Sequence, residues 1–77
     1  MLTSKLEKHF KLLAEKWPSA FIAREKVNEF TGGLISSGYI ANLDCRGEGP
    51  ESIRISRKIC YPVGPFIEWL KSRVEQI

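Results

Sequence analysis

The hydrophobic pattern of this chain changes period twice within 77 residues, and few architectures accommodate that. Up to about residue 44, apolar residues recur every three or four positions, the spacing of helices with one buried face. Between residues 44 and 61 the alternation shortens to two, the spacing of strands. Beyond Pro62 the helical spacing returns. A two-stranded hairpin is not stable alone, so it has to pack on the helices that flank it. The pattern predicts a fold that is mainly α with a small β-hairpin, in one domain, since chains this short do not divide.

The first helix is expected over 4–17. Leu2, Leu6, Phe10, Leu13 and Trp17 form its apolar stripe, Ser4 and Glu7 have capping-box spacing, and Pro18 ends it. A second helix is expected over 23–30, with Val27 and Phe30 inward, Phe21 and Ile22 packing at its start, and Arg24, Glu25, Lys26, Asn28 and Glu29 on the wet side. Thr31-Gly32-Gly33 stops it, with glycine available for a left-handed helix end. A third helix is expected over 37–44, with Ser36 as N-cap, Ile40 and Leu43 in the core, and Leu34 or Ile35 packed just ahead. Two short helices joined by a glycine-containing turn have the helix-turn-helix pattern.

Arg46-Gly47-Glu48-Gly49-Pro50 reads as a loop. Ser52-Ile53-Arg54-Ile55-Ser56 reads as a half-buried strand, Ser56-Arg57-Lys58 as a polar turn, and Ile59-Cys60-Tyr61 as the return strand, with Arg54 facing outward. The last helix carries Phe66, Ile67, Trp69, Leu70 and Val74 on its apolar face, and Pro65 suits its first position. Phe10, Trp17, Phe30, Phe66 and Trp69 are read as core aromatics. His9 is read as a surface or boundary residue.

Composition narrows the function classes. Apolar residues make up 43% and charged residues 27%, as in a folded globular domain. Twelve Lys and Arg against nine Asp and Glu give a net charge of +3, a mild bias compatible with nucleic acid. Cys45 and Cys60 belong to no CxxC pair and lie far from His9, so they are expected to be reduced, partly buried thiols with no metal. No cofactor is expected. No Ser/His/Asp set, paired acids or phosphate loop is present, and Gly47-Glu48-Gly49-Pro50 lacks the Gly-Lys-Ser/Thr of a P-loop. An enzyme is not expected. With no signal peptide and no apolar run near ~20 residues, the expected location is the cytoplasm, away from membranes.

From about Ile22 to Arg73 the chain resembles excisionase-type, MerR-like winged helix-turn-helix domains. Gly32-Gly33-Leu34-Ile35-Ser36 looks like the turn before the recognition helix, and Ile40-Ala41-Asn42-Leu43-Asp44 like that helix. Arg46-Gly47-Glu48-Gly49-Pro50 resembles the segment that opens the wing, and Ile53 to Tyr61 the wing itself. Phe66-Ile67-Glu68-Trp69-Leu70 looks like the closing helix. Departures are Ser56 where the wing turn usually has glycine, Ala23 at the first N-cap, Pro65 where an acid is usual, and a recognition helix poor in Arg and Lys. The resemblance implies double-stranded DNA as ligand, with a recognition helix over 37–44 in the major groove and a wing over 52–61 on the backbone or minor groove. Members are small transcriptional regulators or recombination factors, often from prophages, so an integrase is a further expected partner. The module would span 20–74. Residues 1–18 would be an added packing helix, or one that mediates self-association.

Eight side chains are the expected contacts. Arg54, Arg57 and Lys58, at the hairpin tip, suit phosphates; the alternative is an edge hairpin guarded by charge against aggregation. Ser37, Tyr39 and Asn42, on the outer face of helix 37–44, suit phosphates and an adenine edge; the alternative is a plain solvated face with Tyr39 half-buried. Arg24 and Lys26 suit the DNA backbone, or serve solubility alone. A competing function is a protein-interaction module on the same fold with little or no DNA binding.

Overall fold

The computed structural model describes residues 4–75, the side chains of Ser4 and Lys5 excepted. In chain order the elements are α1 (Ser4–Lys16), β1 (Phe21–Ala23), a single 3-10 turn (Arg24–Lys26), α2 (Val27–Phe30), α3 (Ser37–Cys45), β2 (Ile53–Ile55), β3 (Lys58–Pro62) and α4 (Val63–Ser72). The strands form one antiparallel sheet in the order β1-β3-β2. Four helices and a three-stranded sheet thus make a small α/β protein.

The third strand corrects the sequence reading. Phe21 and Ile22 do not lead into a helix beginning at 23. They pair with β3, Ile22 opposite Tyr61, and Ile22 is fully buried while Phe21 is exposed. Helical geometry starts at Arg24, after an extended Ala23 that supplies no side-chain cap. The indole N–H of Trp17 donates to the Phe21 carbonyl at 2.9 Å, fastening the end of α1 to this strand.

Of the expected stripe, Phe10 and Leu13 of α1 and Trp17 just past its end pack, partly buried, against the core, with Ala14 beside them. Leu2 lies outside the described residues, as does any cap before Ser4, which is the first helical residue. The Glu7 carboxylate accepts from Lys71 of α4 at 3.1 Å. The core itself holds Ile22, Val27, Phe30, Ile40, Tyr61, Phe66 and Ile67. Aromatic rings run through it edge to face, Trp17 to Phe30 at 5.2 Å and Phe30 to Phe66 at 5.5 Å, with Tyr61 and Trp69 both against Phe66. Such pairs add about 0.5–1.5 kcal/mol each beyond the area they bury.

α2 and α3 end in the same way. Gly32 and Gly47 adopt φ of +68° and +72°, and each turns the chain so that the next residue's N–H reaches back to the helix. Gly33 donates to Asn28 O and Glu48 to Leu43 O, both at 2.8 Å. These are Schellman closures, which favour glycine at the left-handed position. Between them, the hydroxyl of buried Thr31 donates to Val27 O at 2.9 Å and accepts from Ile35 N at 3.0 Å, hooking the turn onto α2. Ser36 caps α3, accepting from Tyr39 N at 3.1 Å. Ile35 packs toward the core ahead of that cap, whereas Leu34 is 81% exposed.

The hairpin faces opposite to expectation. Its loop is Ser56-Arg57, both with positive φ (49° and 71°), the type I′ geometry that matches strand twist. That loop sets Ile55 opposite Lys58 and Arg54 opposite Ile59. Arg54 therefore shares a face with Ile59 and Tyr61, yet stays exposed on the edge strand. Ile53 and Ile55 lie on the outer face with Phe21, Ala23, Cys60 and Pro62, and are 38% and 49% exposed rather than half-buried against the core. α4 also starts earlier than expected. Pro62 is its N-cap and Pro65 its third residue, still within the first turn where backbone N–H groups lack helical partners.

Candidate nucleic-acid interface

The hairpin, the 3-10 turn and α3 are tied together by one partly buried polar knot. Arg24 donates through its guanidinium to Asp44 Oδ2 at 2.6 Å and through Nε to the Tyr61 hydroxyl at 3.0 Å. Tyr61 in turn donates to Asp44 Oδ2 at 2.7 Å. Burial, reinforced by the hydrogen bond to Asp44, pushes the Tyr61 phenol up to about 12. The bonds to Tyr61 and then Asp44 hold the Arg24 guanidinium above its already high range. Each member comes from a different element, so the knot fixes α3 relative to the sheet.

Two side chains are less exposed than expected. Arg24 is half-buried in the knot and not on the wet side of its helix. Ser37 is half-buried and donates to the Arg24 carbonyl at 2.9 Å, so it does not lie on the open face of α3. Asn42 is exposed as expected. Tyr39 is 43% exposed, with its hydroxyl 3.3 Å from an Arg73 nitrogen that donates to it.

The cations divide into two groups. Lys26, Arg54 and Arg57 are exposed, and no carboxylate pairs with them among the described residues. Lys58 is exposed but bonds Glu25 at 2.9 Å, and that contact holds the Glu25 carboxyl below its usual range. Ala23, Arg24, Glu25, Ser37, Lys58 and Ile59 surround one shallow depression of about 270 Å³. The start of α3 and the loop end of β3 therefore open onto the same hollow.

Sequence reasoning missed Asp44 as an anchor and Glu25 as the partner of Lys58. Arg24 lies 20 residues from Asp44 and 37 from Tyr61, separations that no local pattern encodes. Cys45 is exposed and Cys60 buried, both as free thiols, and His9 is exposed. Among the described residues no three His, Cys, Asp or Glu side chains cluster as metal ligands, and no helix is long and apolar enough to cross a membrane. Comparison with known families, characterised proteins and solved structures returned no match.

Proposed function

We propose that the chain is a double-stranded DNA-binding protein of the winged helix-turn-helix kind, a small transcriptional regulator or excisionase-like recombination factor with no catalytic step of its own. The observation that carries this reading is the shared hollow between the start of α3 and the loop end of β3, with Ser37 on one side and Lys58 on the other. In this reading Tyr39 and Asn42 of α3 face the groove, and Lys26, Arg54, Arg57 and Lys58 meet phosphates. Arg24 and Ser37 act indirectly, by holding α3 at its angle to the hairpin.

The test is a titration of labelled duplex against protein at several salt concentrations. Four cations on phosphates give a slope of about −3.6 in log affinity against log salt. Replacing Arg57 and Lys58 together by Ala flattens that slope by up to about 2 and weakens binding to every sequence. Asn42→Ala costs about 1–3 kcal/mol at a preferred site and nothing elsewhere. Binding that is absent at low salt, or indifferent to salt, overturns the reading.

One observation favours a second reading, a protein-interaction module. The outer sheet face exposes Phe21, Ile53 and Ile55, with Lys58 on the same face opposite Ile55, and exposed apolar side chains on one sheet face suit a protein contact. Under that reading Ile53→Ser with Ile55→Ser abolishes partner binding and leaves duplex binding unchanged.

A further inference from the structure

A second concave surface lies away from the hairpin, where α1, the segment between α2 and α3, and the end of α4 diverge. It encloses about 450 Å³ and is walled by Phe10, Leu13, Leu34, Ile35, Leu70 and Val74. Leu34 is 81% exposed, the largest exposure among the bulky apolar side chains of the described residues, and it is held at this lip by the Thr31 hook rather than folded into the core. A volume of this size lies within the range of small-molecule sites, roughly 300–1,000 Å³.

The polar groups at the lip decide what would enter. Arg73 stands there with its guanidinium 5.2 Å from the Trp69 ring centre and one nitrogen donating to the Tyr39 hydroxyl at 3.3 Å. Both partners are neutral, and no carboxylate pairs with Arg73 among the described residues. A guanidinium has five N–H donors, so most of its donors remain free, and the Trp69 ring and the Tyr39 hydroxyl hold the group beside the groove. Among the side chains lining the groove Arg73 is the one cation, and none is an acid. A single planar fork matches a carboxylate, which it binds through two parallel hydrogen bonds. A phosphate dianion would call for a second cation that the groove does not supply.

We propose that this groove is a binding site for a small organic acid: an apolar, ring-sized body against Leu34, Leu70 and Val74, and a carboxylate on Arg73. The site uses none of the residues assigned to phosphate contact. It shares Tyr39 with the DNA reading but is tested without DNA, so either reading can fail alone.

The probe is 2-naphthylacetate, with its neutral amide as control, titrated into the full chain and followed by backbone and methyl chemical shifts. Saturable shifts at Leu34, Ile35, Leu70 and Val74 are expected, with the acid bound about tenfold more tightly than the amide. Arg73→Gln, at an exposed position past the end of α4, removes that preference and leaves the weak binding of the amide intact. Leu34→Ser, also exposed, weakens acid and amide alike without unfolding the chain. Equal affinity for acid and amide in the wild-type protein overturns the proposal. So does the absence of shifts at the groove up to millimolar probe, or an acid preference that survives Arg73→Gln.

Discussion

Replacing Asp44 by Ala tests the polar knot directly. The substitution leaves a half-buried guanidinium without its anion and removes the acceptor of the buried Tyr61 hydroxyl. Breaking one side of a fully buried ion pair costs about 3–5 kcal/mol, but Arg24 keeps 31% of its side chain in water and Asp44 keeps 16%. Water reaches the stranded charge, and Arg24 retains its bond to Tyr61, which lowers the expected loss to about 2–3 kcal/mol. One effect runs the other way. Asp44 sits in the last turn of α3, where a negative charge opposes the helix dipole by about 0.3–1 kcal/mol. The net expectation is about 2 kcal/mol, or some 8–16 °C in Tm for a domain of this size. Urea unfolding followed by fluorescence of Trp17 and Trp69 measures it. Tyr61→Phe leaves Arg24 and Asp44 bonded to each other and costs about 1 kcal/mol. Because the three groups share bonds, the double variant Asp44→Ala/Tyr61→Phe falls short of the sum by at least about 0.5 kcal/mol. A loss under about 0.5 kcal/mol for Asp44→Ala, or strict additivity in the cycle, refutes the view that the knot holds α3 to the sheet.

Three further outcomes are expected. Ser56→Asn with Arg57→Gly replaces one left-handed L-residue by glycine and the other by the better-tolerated asparagine; it raises stability by about 1–2 kcal/mol in thermal unfolding and lowers duplex affinity if Arg57 meets phosphate. A Tyr61 phenol raised from 10 to about 12 in the folded state contributes stability that is fully present below pH 10 and is lost as pH climbs toward 12. The loss is about 2–3 kcal/mol and is read as the difference between wild type and Tyr61→Phe over that window. In native protein one thiol, Cys45, reacts promptly with a disulfide reagent, and Cys60 reacts only after denaturation; equal rates for both contradict the burial of Cys60.

Long periodic segments were legible in the sequence. α1, α3 and α4 each place apolar residues at helical spacing, and the Ser36 cap and the Gly32 stop sit where their chemistry predicts. β1 was not legible, because three residues cannot display a period of two. Nor was the facing of the hairpin. The alternation in Ser52-Ile53-Arg54-Ile55-Ser56 reads equally well from either side, and the two-residue loop, through the register it imposes, decides which side meets the core. At the candidate interface, exposure was read correctly for Asn42, Arg54, Arg57 and Lys58. It was misread for Arg24 and Ser37, whose partners are distant in the chain.

The ring sequence Trp17–Phe30–Phe66–Trp69 runs from the residue that follows α1 through α2 to α4 with no gap between successive contacts. The N-terminal helix is thereby denied the independence of an appendage: the aromatic at its exit is seated on the same rings that close the opposite end of the chain. Amide hydrogens in the middle of α1 should then exchange at the rate of global opening, alongside those of β3, and not through fraying of a detachable arm. Loss of α1 would strip the cover from Phe30 and loosen the platform under the Thr31 hook, so cooperativity, and not merely stability, resides in that first helix.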